Sequence, residues 1–180
     1  MSNFYKLYLL LEKEEKQYEP PYYSIKDRLD HAKDRKNKRD NLPSNLLKKV
    51  ERKIAGKILG NITVYFVDGE TVRDFLDIDF TQAGHGNRYF YIDPNELWVE
   101  EYLRPPDCAA TIIHEQTESI RMLNDNEDYS TAHDAANRAE GSFRKLTRQG
   151  KLVIKDYKQA LIEAEKFLLD IPSLHLKKEK

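Results

Sequence analysis

Two helix-forming segments lie almost end to end, separated only by the polar stretch Asn124-Asp125-Asn126-Glu127-Asp128. In the first, Ala109, Ile112, Ile113, Ile120 and Leu123 recur at helical spacing; in the second, Ala132, Ala135, Ala139, Phe143 and Leu146 do. So short a connection makes consecutive helices antiparallel neighbours. The alanines permit a close approach of the two axes. The pattern therefore predicts a helical hairpin, and the hairpin decides which polar side chains can meet.

Those polar side chains are unusual. His114 and Glu118 stand one turn apart in the first segment, and His133 and Glu140 two turns apart in the second. Positions i, i+4 and i+7 project from one helix face, so the facing stripes converge. Two imidazoles with two or three carboxylates suit a first-row metal: zinc first, one ion per chain, and another divalent ion second. The expected ligands are His114, Glu118 and His133, with Glu140 as a fourth ligand or as an acceptor orienting an imidazole. Glu115 is rotated about 100° from His114 around the helix, which places it beside the ion as a general base. Asn137 shares the His133 face and either binds a substrate oxygen or spaces the helix surface. A blander reading runs alongside: Glu115, Glu118 and Arg121 as an ion-paired stripe, and His133 and Glu140 as hydrogen-bond partners in a polar interhelical seam.

The flanking signals set the expected boundaries. Pro105-Pro106-Asp107 opens the first helix with Asp107 as its cap. Ser130 or Thr131 begins the second, Gly150 closes it, and residues 154–169 form a third amphipathic helix. The middle of the chain reads as strands: residues 62–67 are β-branched and aromatic, residues 72–80 alternate less strictly, and residues 88–92 and 96–100 follow. Asp68-Gly69 and Gly84-His85-Gly86-Asn87 are turn signals, and His85 reads as a turn residue before it reads as a ligand. Upstream, residues 3–17 fit a strand or short helix, and Pro20-Pro21 breaks regular structure. Residues 24–41 fit a solvated helix or mobile arm. Pro43-Ser44 opens a helix whose stripe is Leu46, Leu47, Val50, Ile54 and Ile58, ended by Gly60-Asn61. The expected fold class is α+β: a small, largely antiparallel sheet of three or four strands packed against the hairpin, with additional N- and C-terminal helices. A length of 180 residues fits one domain, with an N-terminal region 1–61, a sheet and hairpin 62–150, and a C-terminal helix and tail 151–180.

Composition narrows the function classes. The net charge of -1 argues against a uniformly basic nucleic-acid binder, yet residues 26–57 carry twelve Lys/Arg against five Asp/Glu, and residues 68–101 two against nine. Interspersed aspartates and the lack of an aromatic platform rank nucleic-acid contact through residues 26–57 below a solvated helix. No segment has the apolar length to span a bilayer. The run at residues 4–11 is too short for a signal peptide and lacks a small-residue cleavage site. The single Cys108 fits a reducing compartment, and a small buried hydrophobe is its preferred role. These points together place the chain in the cytoplasm. His31 and His175 lie in polar segments and receive no role.

His114-Glu115-x-x-Glu118 resembles the zincin motif His-Glu-x-x-His with glutamate at the last position, and the order of helix, small sheet and motif helix resembles a minimal zincin. Four blocks are similar to a group of short phage and bacterial proteins: Asp77-Ile78-Asp79-Phe80-Thr81, Asn95-Glu96-Leu97-Trp98-Val99-Glu100, the His114 motif, and Tyr129-x-x-Ala132-His133-x-x-Ala136-x-x-x-Glu140. This resemblance covers about residues 62 to 143. It implies His114 as a ligand, Glu115 as the general base, and the host cytoplasm as the location of a phage-encoded chain. By that analogy the leading reading is a zinc-dependent hydrolase acting on peptide or amide bonds of a peptide or protein substrate. An edge strand such as residues 88–92 would hold extended substrate, and Tyr91, Tyr129 or Arg121 would stabilise an oxyanion. The alternative is a non-catalytic phage or prophage accessory protein that binds a host protein or nucleic acid, with the His/Glu cluster structural.

Overall fold

The computed structural model describes residues 44–171; the expectations for residues 3–41, including His31 and the part of the basic stretch before residue 44, and for the tail with His175 fall outside them. Among the described residues the chain forms two compact units, residues 44–103 and residues 104–171. The class is α+β, as expected.

The first unit holds the sheet. A single turn of helix, α1 (Ser44–Leu47), leads into β1 (Arg52–Ile58) and β2 (Ile62–Val67), followed by α2 (Gly69–Phe75), β3 (Ala83–His85) and β4 (Glu96–Glu100). The strand order is β1-β2-β4-β3. β1–β2 and β3–β4 pair antiparallel, but β2 and β4 run parallel, so the sheet is mixed. Parallel neighbours cannot be joined by a hairpin; here α2 and β3 fill the crossover.

Several local expectations give way to tertiary context. The helix foreseen through Ile58 stops after one turn, and the last two residues of its stripe, Ile54 and Ile58, lie in β1, which has a bulge between Ile54 and Gly56. Ile54, placed on the buried stripe, is 71% exposed. Gly60-Asn61 ends a strand instead of a helix: Leu59 and Gly60 both take positive φ in the β1–β2 turn, a conformation glycine adopts without a Cβ penalty. The strand foreseen over residues 72–80 does not form: residues 72–75 belong to α2, which Asp68 caps by accepting from the Glu70 amide, and residues 76–80 are turn and irregular structure. Gly84-His85 belongs to β3. Residues 88–92 form no strand; turns fold them back, with the Arg88 and Tyr89 amides donating to the His85 carbonyl and Ile92 to Tyr89. Their aromatics instead enter a core of Val50, Val67, Val72, Phe80, Tyr89, Tyr91, Ile92 and Trp98. Trp98 is fully buried, and its indole N–H donates to Glu96 Oε2 at 2.9 Å.

The second unit is helical: α3 (Pro105–Asn124), α4 (Tyr129–Arg148) and α5 (Tyr157–Asp170). α3 packs against both α4 and α5 and is buried almost all round; Leu123, foreseen on its apolar side, is exposed. The cap assignments shift. α3 is capped at Arg104 with Pro105 and Pro106 in its first turn, while Asp107 sits inside that turn and binds arginines. Asp128 caps α4, accepting from the Thr131 amide and hydroxyl, each at 3.0 Å. α4 ends as foreseen at Gly150, at φ +67°, with the Gly150 and Lys151 amides donating to the Thr147 and Leu146 carbonyls in a Schellman closure. α5 starts three residues later than foreseen, where Asp156 caps it through the Gln159 amide. No helix among the described residues is long and apolar enough to cross a membrane.

Candidate metal centre

The centre lies within the α3–α4 hairpin, and its geometry follows from alanine. Ala132, Ala135, Ala136 and Ala139 of α4 and Ala109 and Ala110 of α3 are at most 1% exposed. Such small side chains favour a close approach of the helices, and longer polar side chains touch tip to tip across it. His114 Nε2 lies 3.2 Å from His133 Nδ1, His133 Nδ1 lies 2.8 Å from Glu118 Oε2, and His114 Nε2 lies 3.8 Å from the same oxygen. These three residues form a group able to hold a metal ion. Bonds of about 2.0–2.1 Å to nitrogen and oxygen in a tetrahedral shell put neighbouring donors about 3.3 Å apart. The observed triangle brackets that edge, so the donor set fits a small divalent cation on size as well as chemistry.

Behind the triangle stands a second row of charges. His114 Nδ1 lies 2.9 Å from Glu140 Oε2, and Arg144 Nε donates to Glu140 Oε1 at 2.7 Å. Arg144 Nη1 donates in turn to Asp107 Oδ1 at 2.6 Å. An ionised carboxylate only accepts, so the neutral His114 ring carries its proton on Nδ1 and presents Nε2 as a lone pair. His133 Nδ1–H then has two acceptors within reach, Glu118 and His114 Nε2, and one proton to give.

Burial and charge pull these groups in opposite directions. Burial lowers the His114 pKa, but the Glu140 hydrogen bond and the charges of Glu115, Glu140 and Glu118 together outweigh it and leave it raised. Burial alone would raise Glu140, yet His114 and Arg144 hold its carboxyl below the usual range. Asp107 behaves likewise, with Arg144 and Arg104 overcoming burial. Glu118 is 2% exposed, His114 and Glu140 are half-buried, and the His133 side chain is the most open at 37%. The accessible side of the triangle is therefore the His133 side. There the Tyr129 ring stacks on the imidazole, with centroids 5.3 Å apart.

The other foreseen residues divide. Glu115 is half-buried next to His114 on α3, and its charge acts on that ring. Asn137 is exposed on α4, one turn beyond His133. The Arg121 guanidinium is held by Glu127 through bonds of 2.6 and 2.7 Å. Tyr91 is buried in the aromatic core of the sheet unit, where desolvation pushes its phenol pKa up and its hydroxyl has no hydrogen-bond partner among the described residues. His85 is buried in β3, with Nδ1 accepting from the Asn87 amide at 3.3 Å. The Cys108 thiol is buried, in keeping with the reading as a small buried hydrophobe, and desolvation pushes its pKa up to about 12. Sequence reasoning offered Arg144 only as local charge compensation for the carboxylates and Asp107 only as a helix cap. Asp107 lies seven residues before His114 and Arg144 four after Glu140, so helical spacing alone held the signal of the second row.

No protein-family model, curated protein or solved structure matches the chain.

Proposed function

We propose that the chain is a zinc-dependent hydrolase of peptide or amide bonds, with His114, Glu118 and His133 as the metal ligands. The observation that supports it is the donor triangle, two nitrogens and one oxygen from two helices with edges of 2.8, 3.2 and 3.8 Å. Three protein donors leave a tetrahedral ion one open position, the arrangement that separates catalytic from structural zinc. A bound zinc would supply Lewis acidity, polarising a carbonyl and acidifying a water.

The chain's own residues do the rest. Glu115, beside the ligand His114, takes the water proton and returns it to the leaving amine. Glu140 acts as the acceptor that orients His114 and not as a fourth ligand, since its two oxygens are engaged by His114 and Arg144. Of the three oxyanion candidates, Tyr129 is the one at the centre, on its accessible side. Substrate class rests on the zincin resemblance of the His114 motif, and the site of strand addition foreseen at residues 88–92 is withdrawn with that strand.

Purified protein reconstituted with zinc and desalted is expected to hold about one ion per chain by elemental analysis. Absence of uptake would sink the reading. Glu115→Gln is expected to keep the metal and the melting temperature while removing turnover of an amide-substrate panel. The runner-up, a phage or prophage accessory protein binding a host protein or nucleic acid, draws on one observation: the His114–Glu140 and His133–Glu118 contacts close the seam with protein atoms alone. That reading expects no zinc and no turnover to lose.

A further inference from the structure

The hairpin is cross-linked by rungs. Asp107–Arg144, His114–Glu140 and Glu118–His133 join α3 to α4 in succession, and Arg121–Glu127 closes the loop end. Two of these rungs are not independent. One guanidinium spans Asp107 and Glu140, using Nη1 for the first and Nε for the second. Glu140 is thereby gripped at both oxygens, one by Arg144 and one by His114.

We propose that Arg144, anchored by Asp107, is a positioning residue for the centre, holding Glu140 so that His114 keeps its proton on Nδ1 and its Nε2 lone pair toward Glu118 and His133. Guanidinium is suited to this because its donors sit in a rigid planar fork; an ammonium is a point charge that cannot fix two carboxylates in set directions. Without the fork, the half-buried Glu140 carboxylate turns toward water and the imidazole loses the acceptor that selects its tautomer.

The sign of the effect separates this role from two simpler ones. If Arg144 acted only through its charge, removing a positive group near a bound cation would tighten cation binding. If it only clamped the helices, metal affinity in folded protein would not change. Positioning alone makes affinity fall when Arg144 goes.

The test has two arms, and only the second rests on the metal-site reading above. In metal-free protein, two-dimensional NMR of the histidine side chains, at a pH about two units above the ordinary imidazole value of about 6.5, reports the His114 tautomer. Wild type is expected to show Nδ1–H, and Arg144→Met and Arg144→Lys a mixture. In the second arm, zinc titration against a competing chelator is expected to give a dissociation constant roughly 10- to 100-fold weaker in both variants. Asp107→Asn, which keeps an accepting oxygen, is expected to show a smaller change in the same direction and serves if the Arg144 variants fold poorly. Glu127→Gln, at the loop end of the hairpin, is expected to change neither reading. An unaltered His114 tautomer, or zinc affinity that is equal or tighter in the Arg144 variants, would overturn the proposal. Should wild type take up no zinc, the hydrolase reading falls and the tautomer decides this one alone.

Discussion

The sheet unit and the helical hairpin solve the problem of a core in opposite ways. Trp98, Phe80, Val64, Val67, Leu97 and Val99 fill the first with large side chains, all fully buried. The tolerance of that core for polarity is passive: the Tyr91 hydroxyl sits inside it without a partner among the described residues. The hairpin also buries Ile112, Ile113 and Phe143, but beside them it buries six alanines, and with these Glu118, Thr111, Gln116 and Ser119. A methyl group removes far less apolar area from water than an indole, at about 25 cal/mol per Å², so the α3–α4 seam gains little from burial. What it gains is proximity, since small residues let imidazoles and carboxylates meet across it. A buried carboxylate such as Glu118 persists only when paired or bound to a cation. One region is organised for stability, the other for holding charge.

The comparison breaks first, and most visibly, at Trp98. Trp98→Ala removes the largest buried side chain of the sheet unit and its bond to Glu96, and a loss of about 3–5 kcal/mol is expected for such a truncation. Urea denaturation followed by circular dichroism measures it. A loss below about 1 kcal/mol would mean the aromatic core does not carry that unit, since core truncations of this kind do not come so cheaply.

The hairpin responds to a different perturbation. An ion that binds only the native state stabilises it by mass action, on the order of 3 kcal/mol when free metal is a hundredfold above its dissociation constant. A chelator is therefore expected to lower the melting temperature of zinc-loaded wild type and to leave His133→Ala unmoved. If the two proteins melt identically with and without chelator, the triangle does not bind zinc.

These two regions also differed in how far the sequence disclosed them. The hairpin was legible because helical spacing and a short polar loop constrain it locally: His114, Glu118 and His133 meet where i, i+4 periodicity puts them. The sheet unit was not, because its patterns fit more than one period. Leu46, Leu47, Val50, Ile54 and Ile58 satisfy a helical stripe, yet Ile54 and Ile58 fall in β1, whose bulge hides the strand alternation. Asp68 read as a turn residue, and the same carboxylate that favours a turn caps α2. The aromatics of residues 88–92 looked like a strand because strands and compact aromatic cores draw on the same residue types. The Arg144–Glu140 pair is an i, i+4 contact legible within one helix; the Asp107–Arg144 bond depends on how two helices are rotated against each other, which no single helix encodes. Glu140 shares a face with His133 in the sequence, and the packing gives it to His114.

The smallest expected effect probes the charged ladder without metal. The Asp107 carboxyl is pushed up by burial, but Arg144 and Arg104 outweigh that and leave it depressed in the folded chain. A depressed carboxyl contributes stability above its unfolded pKa, about 3.9, and loses it as pH falls through the folded value, where both states bind the proton. In metal-free protein, wild type is expected to exceed Asp107→Asn in stability by on the order of 1 kcal/mol, the scale of a partly exposed ion pair. The difference should be steady from about pH 5 to 7 and close below about pH 4. Melting curves of both proteins across that range decide it. A gap that persists in acid would show that Asp107 acts through shape and not charge, and the ladder would then be a packing device like the aromatic core it is contrasted with.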